Sequence, residues 1–204
     1  MPFPPNPLIF SLQNFVMPTQ TIEQTPVLTH YRFSVEDYHR MADLGFFPQG
    51  ARIELLDGEI VEMSPAKSKH AGMIIRLTRL LGKSLGAKAA ISIQNPISLN
   101  PYSEPEPDVA VLKPRPDDYS ESHPVPEDIL FLIEVSDTTL AKDRKVKLPL
   151  YAKAGIPEVW IVDLEGEQVE VYTEPGPEGY SQMKVFAKGK EVEGVLNGKF
   201  LIFS

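Results

Sequence analysis

The spacing of apolar residues predicts a short and a long helix in the first half of the chain. The short helix begins at Ser34, which forms a capping box with Asp37, and it ends at Gly45. The long helix follows Pro65 and ends at Gly86. Apolar residues recur on one face of each helix: Val35, Tyr38, Met41 and Leu44 in the first, and Met73, Ile74, Leu77, Leu80, Leu81 and Leu85 in the second.

Strands are predicted between and after these helices. Alternating stretches on either side of Asp57-Gly58 predict a β-hairpin over residues 52–63. Two later strands have nearly continuous apolar runs, which is typical of buried central strands. The remaining predicted strands are, in chain order, residues 89–99, 108–112, 129–135, 158–164 and several between 168 and 203.

A third helical pattern covers residues 140–154, where Pro149 is expected to introduce a kink. Asp143, Lys147 and Tyr151 follow one another at i,i+4 spacing and therefore share a face of this helix. Strands and helices that are mixed in this way along the chain predict an α/β (α+β) fold.

The N-terminal segment has a different composition. Six prolines fall within residues 1–26, and they predict a flexible tail ahead of a single domain at residues 27–204. Met17 is a second plausible start beside Met1. Hydrophobic residues make up 42% of the chain, which is enough for a core and argues against global disorder.

Composition excludes several kinds of chemistry. The chain has no cysteine, so disulfides, thiol nucleophiles and cysteine zinc sites are impossible. The net charge of −8 argues against a protein that coats DNA. An enzyme with this charge could still bind phosphate locally through a metal ion and a few lysines. Apolar runs are far shorter than the roughly 20 residues that span a membrane, and no signal peptide is visible. We therefore expect a cytoplasmic protein without a membrane partner.

The clearest chemical signal is a carboxylate within an apolar strand. Glu134 lies in the run Ile129–Val135, which is otherwise entirely apolar. An unpaired buried charge is costly, so such a glutamate is expected to bind a metal or to have a charged partner. The alternative is that Glu134 lies at the end of the strand, where it caps a turn or pairs with a lysine.

Asp108 opens the preceding predicted strand, directly after Pro107. Taken alone, an aspartate at such a junction is ordinary turn chemistry. Neighbouring strands could, however, bring Asp108 and Glu134 side by side. Two carboxylates and a backbone carbonyl would form a hard oxygen site suited to Mg²⁺ or Mn²⁺.

Several segments together resemble a known family. They are Glu54, Pro107-Asp108, Glu134-Val135-Ser136, Asp143, Lys147 and the run from Tyr151 to Asp163. This combination resembles the Uma family, which is common in cyanobacteria and whose members are described as restriction endonucleases of the PD-(D/E)XK superfamily. The likeness covers residues 30–203. It implies a restriction-endonuclease-like core with a mixed central sheet flanked by helices, an N-terminal β-hairpin and a β-rich C-terminal extension.

The resemblance also implies functional roles. Glu54, Asp108, Glu134 and Lys147 would be the catalytic residues. Asp108, Glu134 and the backbone carbonyl of Val135 would bind Mg²⁺ or Mn²⁺. Glu54 would add a further carboxylate, either directly or through a metal-bound water.

The position of the lysine departs from the superfamily pattern. That pattern places it two residues after the acid, where this chain has Ser136. The resemblance implies instead that Lys147 on the following helix is the functional lysine. Its neighbours Val146 and Leu150 are expected to pack on the sheet and to hold Lys147 at the edge of the core. Lys145 is the second candidate. The alternative is that Asp143 and Lys147 form an ordinary exposed i,i+4 pair, worth only a few tenths of a kcal/mol.

Weaker candidates lie nearby in the sequence. His70 belongs to the apolar face of the long helix, where a histidine is more often structural, and Gln94 ends a strand, where it could orient water or be an ordinary strand-end amide. Lys67 and Lys69 could contact phosphate or could simply be solvated.

These features predict a metal-dependent endonuclease with a DNA substrate. Cleavage of both strands would favour a homodimer with two-fold symmetry. Two other classes stay open: a nuclease fold that binds nucleic acid or protein without cutting, and a non-enzymatic domain in which the acidic residues are structural. A metal titration separates the last class from the others, and an activity assay separates a nuclease from a binding module.

Overall fold

Helices and strands are intermixed along the described part of the chain, which comprises Met1, residues 29–194 and residues 198–203 of a computed structural model. The predicted tail at residues 1–26 lies outside these residues, apart from Met1. The elements are α1 (Val35–Asp43), β1 (Ile53–Leu56), β2 (Glu59–Glu62), α2 (Ser68–Leu85), β3 (Ala90–Ile93), β4 (Val109–Leu112), β5 (Ile129–Ser136), α3 (Leu140–Lys142), α4 (Leu148–Lys153), β6 (Glu158–Asp163), β7 (Gln168–Gly176), β8 (Gly179–Ala187), β9 (Val192–Glu193) and β10 (Lys199–Phe200).

A mixed six-stranded sheet forms the centre of the fold. Its strand order is β3-β4-β5-β6-β7-β8, and only β5 and β6 run parallel. The predicted α/β class with a mixed central sheet is therefore confirmed. The long hairpin of β7 and β8 extends this sheet, while β9 and β10 pair with each other. The predicted strand at residues 89–99 is shorter than expected, since β3 covers only Ala90–Ile93.

The sheet is covered on both faces because its central strands alternate between two cores. On β4, Val109 and Val111 belong to the core that includes α2, whereas Ala110 and Leu112 pack with Tyr151 of α4. The apolar face predicted for the long helix is confirmed, since α2 buries Ile74, Leu77, Leu81 and Leu85. Each such side chain stabilises the fold by about 1.5–3 kcal/mol. In the described part of the chain, no helix is long and apolar enough to cross a membrane.

Two local predictions in the N-terminal half are confirmed. The Ser34 hydroxyl accepts the backbone N–H of Asp37 at 3.0 Å, and the Asp37 carboxylate accepts the N–H of Ser34 at 3.1 Å, which completes the capping box of α1. Strands β1 and β2 form the predicted hairpin, with Asp57 and Gly58 at φ 50° and 83° in its turn. Two successive residues with positive φ are what a tight turn of this kind requires.

The segment between β5 and β6 differs from the single kinked helix that the sequence predicts. A π-helical segment, Asp143–Lys147, separates α3 from α4. Pro149 lies in the first turn of α4, where its missing N–H costs little, so it accompanies a change of helix type instead of a kink. Asp143 and Lys147 are buried, but Val146 is 41% exposed. The expectation that Val146 packs on the sheet was therefore wrong.

Candidate active site

A small cleft opens where β1, the start of β4 and the end of β5 meet the beginning of α2 and the π-helical segment. Its volume is about 70 Å³. The hairpin brings Glu54 to the cleft, and the two central strands bring Asp108 and Glu134. Further residues of the lining are Arg52, Lys67, His70, Gln94, Glu106, Asp137, Lys142, Asp143 and Lys147.

Lys147 lies at the centre of the charged cluster. Its Nζ is 3.1 Å from Glu54 Oε2 and 3.2 Å from Glu134 Oε1, and it donates a hydrogen bond to the backbone carbonyl of Glu106 at 3.1 Å. The side chain is only 4% exposed, so the alternative of an ordinary surface pair does not describe it. Burial by itself lowers the pKa of Lys147, but the carboxylates of Glu134 and Glu54 outweigh it and raise the pKa. The ammonium group therefore keeps its proton at neutral pH.

Glu54 is held by cations from two neighbouring turns of the helical segment. Its Oε1 accepts a hydrogen bond from Lys142 Nζ at 2.6 Å, and its Oε2 accepts the backbone N–H of Glu106 at 3.2 Å. Burial raises the pKa of Glu54, but Lys147 and Lys142 together bring it below the ordinary value. Glu54 is thus the ionised partner of both lysines.

Glu134 is in a drier environment near the end of β5. The hydroxyl of Tyr151 donates a hydrogen bond to Glu134 Oε1 at 2.5 Å, and the side chain is 4% exposed. Burial raises the pKa of Glu134 to about 8, although Lys147 acts in the opposite direction. The protonated form of this carboxyl group is therefore favoured more strongly than that of an ordinary glutamate.

Asp108 lies beside Glu134 and is tied to three donors. Its Oδ2 accepts the backbone N–H of Val135 at 2.8 Å and lies 3.1 Å from His70 Nε2, while Gln94 Nε2 donates to Oδ1 at 3.1 Å. Burial raises the pKa of Asp108, but the contact with His70 and the N–H of Val135 lower it overall. In a strand, the N–H and the C=O of one residue point toward the same neighbouring strand. The carbonyl of Val135 therefore points toward the side on which Asp108 lies, as its N–H does.

Of the weaker candidates from the sequence, His70, Gln94 and Asp143 line the cleft, whereas Lys145 does not. The hydrogen bond to Asp108 brings His70 into the cleft and raises its pKa, although burial lowers it. Gln94 has a left-handed backbone with φ 49°, a strained conformation that is common at functional sites. Asp143 accepts hydrogen bonds from the hydroxyls of Ser136 and Thr139, both at 2.7 Å. Lys145 is exposed and is not part of the cleft lining.

Three groups in the cluster were missed at the sequence level. Lys142 binds Glu54, the Tyr151 hydroxyl binds Glu134, and the backbone of Glu106 contacts both Glu54 and Lys147. Tyr151 carried a usable signal, since it shares the helical face of Lys147. Nothing in the sequence indicated Lys142 or Glu106, because their roles depend on contacts with β1, which is distant in sequence.

The donor set suits a hard divalent cation. Asp108, Glu134 and the Val135 carbonyl offer the oxygen ligands that Mg²⁺ and Mn²⁺ prefer. Within residues 29–194 and 198–203, no group of three or more acidic or histidine side chains is already arranged to hold a metal ion. Lysine ammonium groups and N–H or hydroxyl donors contact the carboxylate oxygens instead. The residues fit the ion chemically, but they must exchange partners to bind it.

The six-stranded mixed sheet with helices on its faces defines an α/β protein. The chain belongs to the Uma2 family, which is described as "Putative restriction endonuclease" and whose model matches residues 35–199. A solved structure with the same fold is that of "a putative nuclease belonging to DUF820 from Anabaena variabilis". The similarity has a TM-score of 0.60 at 16% sequence identity and covers 79% of this chain and 94% of that chain. None of the curated proteins matches the sequence significantly.

Proposed function

We propose that this protein is a Mg²⁺- or Mn²⁺-dependent endonuclease that hydrolyses phosphodiester bonds of DNA. Membership of the family supports the nuclease class. The observation that carries the proposal is the buried ammonium group of Lys147, which lies 3.1–3.2 Å from the carboxylates of Glu54 and Glu134 in a cleft that also contains Asp108.

Asp108, Glu134 and the Val135 carbonyl would hold the metal ion. When bound, the ion supplies a more acidic water and polarises the phosphate. Glu134 would have to release the proton that its raised pKa retains, so binding at neutral pH would liberate protons. His70 and Gln94 would keep the carboxylate of Asp108 in place through their hydrogen bonds.

Lys147 would act as an electrostatic group. Because the surrounding carboxylates keep it protonated, it can donate a hydrogen bond to the attacking water or stabilise negative charge that develops on the phosphate oxygens. For the same reason it would not serve as a general base. Glu54, fixed by Lys142, would orient the ammonium group toward the cleft.

Cleavage of supercoiled and linear DNA tests the proposal directly. The wild-type protein should cut in Mg²⁺ or Mn²⁺ and not in EDTA, while Glu134→Gln should be inactive in every condition. The absence of cleavage by folded wild-type protein with both metals, across a range of DNA sequences, would contradict a nuclease role. If both strands are cut, light scattering should show a dimer.

A second candidate function is a nuclease fold that binds DNA without cutting it. The observation in its favour is that, within the described residues, lysines already neutralise the carboxylates and no metal-holding group is preformed. This alternative predicts DNA binding that needs no divalent ion, no cleavage and no metal-dependent rise in thermal stability. Measurements of DNA binding without a divalent ion, of DNA cleavage and of thermal stability with added metal therefore distinguish the two functions.

A further inference from the structure

Arg52 lines the cleft but is not used by the cluster described above. It directly precedes β1, two residues before Glu54, and its backbone carbonyl accepts the N–H of Met63 at 2.8 Å, which fixes it to the hairpin. Its side chain is half-buried. Among the described residues, its guanidinium group has no hydrogen-bond partner and no ion-pair partner. Its charge acts to lower the pKa of Glu106 and that of His70, and both of these residues line the same cleft.

The lysines of the cleft differ from Arg52 because each already has an acidic partner. Lys142 and Lys147 bind Glu54 at 2.6 and 3.1 Å, and Lys67 lies 3.4 Å from Asp137. Acidic side chains also outnumber lysines and arginines in the lining, so a polyanion that enters the cleft meets unfavourable charge. Among the described residues of the lining, the guanidinium of Arg52 is the lysine or arginine group whose donors are available to offset this repulsion.

We propose that Arg52 is a substrate-binding residue whose guanidinium group binds a backbone phosphate of DNA in the cleft. The inference rests on the proposed function, since it takes the substrate from it. A guanidinium group matches two phosphate oxygens with two parallel N–H donors, which an ammonium group cannot do. The hairpin fixes the distance between Arg52 and Glu54, so a phosphate bound by Arg52 would be positioned relative to the acidic cluster.

Binding of a fluorescent DNA duplex in EDTA, measured by anisotropy over a series of salt concentrations, tests this role without cleavage. Arg52→Gln should weaken binding by roughly tenfold. It should also reduce the slope of log Kd against log salt concentration by about 1, which is the contribution of one phosphate contact. Arg52→Lys should recover the salt slope but only part of the affinity. Arg79→Gln is the matched control, because Arg79 is exposed on α2, lies outside the cleft lining and undergoes the same change of charge.

The possible outcomes separate this inference from the proposed function. Binding by Arg52→Gln that equals wild type, an equal loss in Arg79→Gln, or no DNA binding by the wild type would each overturn the role of Arg52. If Arg52→Gln alone weakens binding and the wild type never cuts, the phosphate contact holds and the nuclease proposal fails. If the wild type cuts and Arg52→Gln binds and cuts normally, only the inference is lost. Thermal melts of both glutamine variants should overlay that of the wild type.

Discussion

Each ionisable side chain in the cleft has a protonation state that follows from its neighbours. Glu54 stays ionised beside two ammonium groups, whereas the pKa of Glu134 is raised because burial outweighs the one lysine it contacts. Lys147 stays charged because several carboxylates surround it. Lys142 and Lys147 therefore already pair with acidic groups of the cleft, and an added divalent ion must compete with them.

We expect Lys147→Met to lower kcat by roughly 10²-fold or more without reducing the affinity for Mn²⁺, because it removes charge stabilisation and no metal ligand. The methionine keeps the apolar stem but leaves Glu54 with one cation fewer. The variant should therefore melt below the wild type in EDTA and recover part of the difference in Mn²⁺. Single-turnover cleavage and thermal melts measure these effects.

Lys145→Met is the matched control for this experiment, since Lys145 is exposed two residues away. It should change neither cleavage nor stability appreciably. A larger loss of kcat in Lys145→Met would move the role to that residue, and small equal losses would show that neither lysine contributes to catalysis.

We expect Glu134→Gln to be more stable than the wild type in EDTA, and the difference to grow as pH rises from about 5 to 8. An unfolded Glu134 ionises near its ordinary value of 4.5, whereas the folded side chain holds its proton up to about 8. Across that window the unfolded state binds fewer protons, so the stability of the wild type falls with rising pH. The neutral amide avoids this loss. Thermal melts at several pH values should show a gap of several degrees by pH 8.

The same variant should also lose most of the stabilisation that Mn²⁺ gives the wild type. That stabilisation is about 2.7 kcal/mol at a hundredfold excess over Kd. If Glu134→Gln responded to Mn²⁺ as strongly as wild type, Glu134 would not be a ligand. A gap between the two proteins that stays constant with pH would show that Glu134 is ionised throughout.

At the scale of elements, the helical segment after β5 decides how the lysines reach the cleft. The π-helical segment Asp143–Lys147 is followed at once by α4, and the resulting orientation buries both of its end residues. Lys142 and Lys147 lie one widened turn apart and bind the two oxygens of Glu54. Single-turn π-helical insertions of this kind occur frequently at functional sites.

This geometry predicts that Val146→Ala changes the free energy of unfolding by no more than about 0.5 kcal/mol, because the side chain is largely exposed. A regular helix with Val146 on the sheet would predict a clearly larger loss. Val162→Ala is the matched control, since Val162 is fully buried in β6, and it should destabilise the fold by well over 1 kcal/mol. Urea denaturation of both variants compares the two positions. Equal losses would contradict the exposed orientation of Val146.

At the scale of the whole molecule, the central sheet brings distant segments together. The described residues from Tyr31 onward form one compact unit, and its site combines side chains from the first hairpin, the two central strands and the following helical segment. No single element carries enough of the cluster to bind a phosphate or a metal. A substitution that weakens the pairing of β4 with β5 should therefore affect the site as well as the fold.

We expect a chain that begins at Met17 to melt within about 2 °C of the full-length protein, because the proline-rich residues 1–16 are predicted to add little to the core. Differential scanning calorimetry of both chains measures this, with DNA cleavage as the control for the site. A decrease of many degrees would show that the segment packs against the folded domain.

Local patterns in the sequence were sufficient for several features. The capping box of α1, the Asp57-Gly58 turn and the apolar face of α2 are set by residues within a few positions of each other, so the sequence alone predicts them. Glu134 was recognisable because one carboxylate interrupts an apolar strand, and the family resemblance added Glu54 and Lys147.

Only the tertiary structure decided which side chains meet. Lys142 contacts Glu54 across 88 residues of sequence, and His70 contacts Asp108 across 38. Such pairs depend on strand register and on the phase of a helix, and a single widened turn changes that phase. The protonation of Glu134 likewise depends on the balance between its burial and the charge of Lys147. The sequence by itself determined the elements and the kinds of chemistry that the chain carries, while the packing of distant segments determined the partners and charges of the site.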